Sequence, residues 1–253
     1  MPIITLITDF GERDGYPGVM KGVMVQYNPN LKFIDITHSV RPFGIREAAF
    51  ILKNSYPYFP KGTIHLVVVD PTVGGKRRPI IVKSRGHIFI GPDNGVFSYI
   101  YDKNSSVYEI IPKKLPVSYI SSTFHGRDIF AVAAGLISQN RKIEEFAKPF
   151  NHFVSFPFPS PRRERGEIYG EIIYIDGFGN LITNIEKIEG QGYFEIEGER
   201  IPIKSSYEEV EKGRPLAILG SSGYYELSIR EGKASEVLGL SIGDEVKYVK
   251  DNP

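Results

Sequence analysis

Several polar side chains stand at or just beyond the ends of short apolar runs or ahead of a helical stretch, where they can act from one edge of a sheet. Asp9 closes the first run, in TLITDFGERDG, and Asp70 closes IHLVVVD ahead of the turn PTVGG. Asp93 and Asn94 follow HIFI in GPDNG, and His125 and Arg127 stand in TFHGRD before an Ala-rich stretch. Such groups orient water, hold charge and move protons when gathered in one place. Each also has a plainer use. Asp9 reads equally as a turn or cap residue, and Asp93-Asn94-Gly95 as ordinary turn chemistry. His125 reads as a hydrogen-bonded core histidine, and the pair Arg77-Arg78 as solvated surface charge. Asp70 fits a plain reading least well: an apolar run precedes it, and Arg77 follows seven positions later across a Gly-Gly turn.

These groups need a scaffold that brings strand ends together. Residues 3–7, 32–36, 64–69, 80–83 and 87–90 are Ile- and Val-rich runs, as the buried strands of a mostly parallel sheet require. Helical stretches fall between some of them: 16–27, with Val19, Met20, Val23 and Met24 on neighbouring faces; 45–56, stopped by Pro57; and 127–138 after Gly126. Strands alternating with helices predict an α/β layer structure over 1–150, with right-handed crossovers and ligands beyond the carboxyl ends of the strands. Segment 151–165, rich in Pro and aromatics and without periodicity, reads as a connector. From 166 to 253 short turn-punctuated strands predict a smaller all-β, barrel-like domain.

Composition narrows the chemistry. Of 253 residues, 41% are hydrophobic and 24% charged, ordinary values for a folded soluble protein. With 31 basic and 30 acidic residues the formal charge is +1, unlike a nucleic-acid-coating protein. There is no Cys, which removes disulfides and thiolate chemistry, and the 5 His show no HExxH-like spacing, so no metal site is expected. GxGxxG, GxxxxGK[ST] and GxSxG are all missing, against dinucleotide, NTP and α/β-hydrolase readings. MPIITLITDF reads as a first strand and not a signal peptide, and no apolar run is long enough to span a membrane; a cytoplasmic address is expected. Absent Cys, few Met and abundant Lys, Glu and Arg point to a heat-adapted source.

Seven blocks give the chain a resemblance that runs almost end to end. TDFGERDGYPGVMKG (8–22), DITHSVRPFGIREAAFIL (35–52), YPYFPKGTIHLVVVDPTVGGKRRPI (56–80), GPDNGVFS (91–98), STFHGRDIFAVAA (122–134), IDGFGNLITNI (175–185) and SSGYYELSIREGKASEVLGL (221–240) occur in order. Together they resemble the S-adenosylmethionine (SAM) hydroxide adenosyltransferase family, relatives of the SAM-dependent fluorinase and chlorinase.

The resemblance implies an enzyme that hydrolyses SAM at C5′ to adenosine and methionine, without metal or organic cofactor. It also implies a homotrimer with active sites at subunit interfaces, each between one subunit's N-terminal domain and its neighbour's C-terminal domain. By the same resemblance Asp70, Arg77 and His125 form the catalytic set, and Asp9 holds the ribose hydroxyls. Phe43 and Phe124 wall the sugar and adenosyl group, Phe178 and Asn180 meet adenine, and Asp176 and Ser221 lie near the methionine end. Thr72 departs from the family's VDPGVG, so a slightly different turn before Arg77 is expected, because Thr does not readily take φ > 0. Rival readings are a SAM-dependent halogenase, a non-catalytic adenosine- or SAM-binding module, and a structural oligomer. Asp70 weighs against the first, since a carboxylate repels a halide and halogenases carry Tyr there.

Overall fold

The computed structural model describes residues 1–251. The chain divides into two compact units, one from Met1 to Pro157 and the other from Phe158 onward.

In the first unit the elements are β1 (Ile3–Thr8), α1 (Tyr16–Tyr27), β2 (Lys32–Thr37), α2 (Ile45–Ser55), β3 (Ile64–Val68), β4 (Pro79–Ser84), β5 (His87–Pro92), β6 (Ser106–Ile110), a π-helical segment (Gly126–Ala131) continuing into α3 (Val132–Ser138), and β7 (Ala147–Pro149). They build one sheet of order β2-β1-β3-β5-β4-β6-β7. The pairs β1–β2, β1–β3 and β3–β5 are parallel. The pairs β4–β5, β4–β6 and β6–β7 are antiparallel, so the sheet is mixed, with its parallel half on the β2 side. The reason lies in the turn: only Arg85 and Gly86 separate β4 from β5, and both take positive φ (53° and 81°), a hairpin geometry. A parallel crossover needs a dozen residues or more. β1 connects to β2 on one side and pairs with β3 on the other, which makes the β1/β3 boundary the switch point of the parallel half.

Apolar residues cover both faces of this sheet. Ile4, Leu6, Leu66, Val68 and Ile90 pack with Met20, Met24 and the Phe130–Ala134 region, while Ile7, Val67, Val69 and Phe89 pack with Ala48, Leu52 and Phe97. A polar cluster interrupts the core. Thr5 Oγ1 lies 2.8 Å from His65 Nδ1, and His65 Nε2 lies 3.1 Å from His87 Nδ1. Burial, and then the neighbouring His87, pushes His65 down to about 3; burial and Lys61 lower His87. His65 is thus neutral in the fold well below the ordinary value of about 6.5 at which the unfolded chain protonates it, and His87 is shifted in the same direction. Unfolding takes up protons below that value. Stability is therefore expected to be full above about pH 6.5 and to fall as pH drops towards 3. Denaturation midpoints across that window check this; a His65→Gln variant should flatten the profile, and an unchanged acid limb would refute the assignment.

The second unit contains β8 (Arg162–Glu164), β9 (Glu167–Ile175), β10 (Leu181–Glu186), β11 (Gly192–Ile196), β12 (Glu199–Lys204), β13 (Pro215–Leu219), β14 (Tyr224–Ile229), the short α4 (Ala234–Val237) and β15 (Glu245–Lys250). The order is β10-β14-β13-β12-β11-β15-β9-β8, and a further β9–β10 pairing closes the ring, leaving β8 appended outside. Ile172, Leu181, Phe194, Ile201, Leu227 and Val246 fill the barrel, the inward half of an alternating pattern. Three residues of the segment read as connector, Arg162–Glu164, are strand β8. Among the described residues no helix is long and apolar enough to cross a membrane.

Candidate active site

β1 and β3 run side by side and parallel, so the residues just after them, Asp9 and Asp70, emerge at one edge. A cavity of about 330 Å³ opens there, lined by Asp9, Phe43, Asp70, Phe124 and His125, with Phe10 and Tyr16 among the other walls.

Asp70 and Arg77 are bound across the turn between β3 and β4. Arg77 Nε donates to Asp70 Oδ1 and Oδ2 at 3.0 and 2.9 Å, and Nη2 also donates to Oδ2. The two side chains are only 6% and 4% exposed, a geometry in which a bidentate charge-assisted pair is strong. Thr72 does not strain this turn. The left-handed position is Gly74 (φ 75°), two residues later, and the turn closes through Val73 N–H to Asp70 O and Gly75 N–H to Thr72 O.

Arg77 Nη2 is also 2.7 Å from His125 Nδ1. A guanidinium has no acceptor, so Nδ1 must accept and the neutral ring carries its proton on Nε2. Burial, and next the Arg77 charge, lowers the pKa of His125 against smaller opposing pulls from Asp70 and Asp128. His125 is placed by the π-helical segment that follows it, a turn type common at functional sites. Asp128 within that segment accepts the Ser121 N–H at 2.7 Å, holding the loop ahead of His125. Gly74 meets the same loop: a Cβ there would lie 2.2 Å from the Ser122 carbonyl oxygen. The carboxylate, guanidinium and imidazole thus form one connected array, with Arg77 in the middle.

Asp9 does a different job. Its Oδ2 accepts the backbone N–H of Phe43 at 3.0 Å. Phe43 has φ 69° and is 69% exposed, a costly conformation for a bulky residue, and such strain concentrates at functional sites. Phe124 packs edge-on to Phe10 and Tyr16, with centroids 6.0 and 5.1 Å apart, giving the cavity a rigid aromatic wall.

Other strand-end candidates serve structure. Asp93 is buried and accepts the Val154 N–H at 2.7 Å, while burial raises its pKa. Asn94 bonds the Val69 carbonyl and the Val96 N–H. Arg78 lies over Phe150, and Arg127 lies over Phe124 while pairing with Asp128.

In the second unit, Asp176, Phe178 and Asn180 share the turn between β9 and β10. Asp176 Oδ1 accepts the N–H groups of Phe178 and Asn180, both at 2.9 Å, and Oδ2 accepts Asn180 Nδ2 at 3.0 Å. Both oxygens of that carboxylate are used in shaping the turn. Phe178 is 79% exposed on the wall of a groove of about 730 Å³ that also includes Asn180, Tyr207, Arg230 and Lys233. Ser221 lies exposed in the β13–β14 turn, outside the residues that line this groove.

Sequence reasoning passed over Phe10 and Tyr16 in the wall, Gly74 and Asp128 behind the array, and the polar string behind Asp9 described below. Positive φ at a glycine and a buried acid in a π-helical turn are visible only once the chain is folded.

The chain thus has an α/β unit with an Asp–Arg–His array beyond the carboxyl end of β3, followed by a closed barrel, a two-domain class of protein. Residues 4–147 match the SAM hydroxide adenosyltransferase N-terminal domain and residues 170–247 the corresponding C-terminal domain; the chain belongs to that family. Its relatives include a protein of Methanocaldococcus jannaschii named (R)-S-adenosyl-L-methionine hydrolase, 34% identical over 98% of this chain and 96% of that one. A Thermus thermophilus protein of the same name is 33% identical over 97% and 99%. Among solved structures, an uncharacterized conserved protein from Thermotoga maritima superposes with a TM-score of 0.87 at 31% identity, covering 98% of this chain and all of that one.

Proposed function

We propose that this protein hydrolyses SAM, with water attacking C5′ as the C5′–S bond breaks, to give adenosine, methionine and a proton. The observation that carries this reading is the Arg77 bridge, which holds Asp70 and His125 together on the wall of a cavity at the switch point. The sulfonium departs as a neutral thioether, so the leaving group needs no acid. What the reaction requires is a water held in line.

The bonding pattern divides the labour. His125, with Nδ1 occupied by Arg77, presents Nε2–H and orients the water as a donor. Asp70 retains lone pairs beyond those used by Arg77 and receives the water's proton. A carboxylate is a weak base, but water becomes strongly acidic as its oxygen bonds to carbon, so a weak base late in the step is sufficient. Arg77 fixes both partners and steadies the charge on Asp70. Asp9 holds the ribose hydroxyls, with Phe43 and Phe124 against the sugar and adenosyl group. No step requires a cofactor.

The same proposal includes a homotrimer, in which Phe178 and Asn180 of a neighbouring subunit meet adenine, and Ser221 and the turn shaped by Asp176 serve the methionine end. In support, Phe43 and Phe178 each stand largely in solvent, where a large ring gains nothing from an isolated chain. Sedimentation equilibrium tests the trimer. The proposal also places the protein in the cytoplasm of a heat-adapted cell, in keeping with the absence of Cys.

The relatives' names specify the R form at sulfur, and we extend that preference to this chain. The test is incubation with each sulfur epimer of SAM in 18O-enriched water, with and without chloride. Labelled 5′-hydroxyl adenosine, formed faster from the R epimer, is the expected product. A 5′-chloro product would replace hydrolysis with halogenation, and ligand-induced stabilisation without turnover would leave a binding module.

A further inference from the structure

Beside Asp9 lies a string of polar residues that the proposed reaction does not use. Thr8, the last residue of β1, is fully buried, and its Oγ1 lies 2.8 Å from His38 Nδ1. His38 is 7% exposed and is not among the residues lining the cavity beside Asp9 or the groove beside Phe178. Its Nε2 sits 3.1 Å from Asp35 Oδ1. Asp35 is paired in turn with Lys21. Burial alone would raise the pKa of Asp35, but Lys21 and His38 together outweigh it and bring it down.

This string joins two loops. Thr8 Oγ1 accepts the Phe10 N–H, His38 O accepts the Gly11 N–H at 2.7 Å, and Thr8 O accepts the Val40 N–H. One loop carries Asp9 and the other Phe43, and those two residues are themselves bonded. The parallel β1–β2 register ends at Ile7 and Thr37, so beyond that point these contacts replace the sheet ladder. The neighbouring side chains reinforce the second loop: Glu47 accepts the Arg41 backbone N–H and pairs with its guanidinium.

We infer that His38 is a positioning residue for substrate binding, setting the carboxylate of Asp9 through the Thr8 hydroxyl. The inference rests on Asp9 holding the ribose. It separates His38 from the Asp70–Arg77–His125 array, because His38 governs the binding end of the cavity and touches no reacting atom.

The test compares His38→Ala, Thr8→Val, the double variant and His38→Asn, each assayed for kcat, KM and adenosine affinity by calorimetry. Asn places an amide atom where Nδ1 stood and reaches Thr8 whichever partner carries the shared proton. His38→Ala and Thr8→Val are each expected to raise KM and weaken adenosine binding about tenfold, roughly one lost hydrogen bond, with kcat nearly unchanged. The double variant should be no worse than either single one, since both remove the same contact. His38→Asn should restore most of the affinity. Loss of thermal stability without a change in adenosine affinity, additive effects, or His38→Asn behaving like His38→Ala would each overturn the inference. If wild type binds adenosine but does not turn over SAM, the proposed activity falls while the affinities still decide the role of His38. If wild type binds no adenosine, both fall.

Discussion

Arg77→Met is expected to lower the turnover number by about 10²–10⁴-fold and to destabilise the first unit by about 3–5 kcal/mol. Methionine keeps a flexible apolar stem near Phe130, whose ring lies 5.2 Å from the guanidinium carbon, so lost packing is the smaller part of the effect. The larger part is Asp70, left as a charged group 4% exposed with its partner gone. Removing one member of a buried pair costs far more than removing both. The double variant Asp70→Leu/Arg77→Met should accordingly recover much of the stability while remaining inactive. Urea denaturation combined with product assays separates the two readouts. A single Arg77→Met variant that turns over at a near wild-type rate would remove the array from the mechanism, and a double variant as unstable as the single one would show that the pair acts through packing.

Gly74→Ala is expected to be nearly as damaging, although Gly74 touches no reacting atom. An alanine must hold φ 75°, a left-handed conformation costing about 1–2 kcal/mol. Its Cβ would also sit 2.2 Å from the Ser122 carbonyl oxygen, which is backbone and cannot turn aside. The loop from Ser122 to His125 would have to move away from the turn carrying Asp70 and Arg77. Displacement by about 1 Å should reduce turnover about 10²-fold. Gly62→Ala is the matched control: it is also left-handed, at φ 86°, but has nothing within 4 Å of the new Cβ. Gly62→Ala should lose stability and keep its rate. If Gly74→Ala does the same, the contact with Ser122 has no bearing on catalysis.

Much of this architecture was legible in the sequence because burial writes a clear pattern. IHLVV and PIIVKS are nearly continuous apolar runs, and both are strands. The strands that escaped notice are those where burial is partial: SVYEI alternates and carries Glu109, while Ala147–Pro149 is a three-residue edge strand containing Pro. The α/β alternation correctly implied a parallel arrangement around Asp9 and Asp70, but a two-residue turn overrode it between β4 and β5. At the site, spacing put Asp70 and Arg77 on either side of one Gly-Gly turn, but their place in one set came from the family resemblance. The link from Arg77 to His125 crosses 48 positions and has no local signature; only the family resemblance pointed to it. Asp176 shows the opposite limit, since a carboxylate that spends both oxygens on its own turn looks the same in sequence as one left free for a ligand.

The closed barrel has a consequence for how the chain is made. Strand β15, Glu245–Lys250, lies between β9 and β11 and is the latest in sequence of the described strands. Until it leaves the ribosome, β9 and β11 each present an unpaired backbone edge, the kind of surface that recruits strands from other chains. The barrel seals only when residues near 170 meet residues near 246, a pairing of long sequence separation and hence slow to form. A premature stop before β15 would leave both edges open at once, and the nascent chain would be in greatest danger of aggregation just before synthesis reaches that strand.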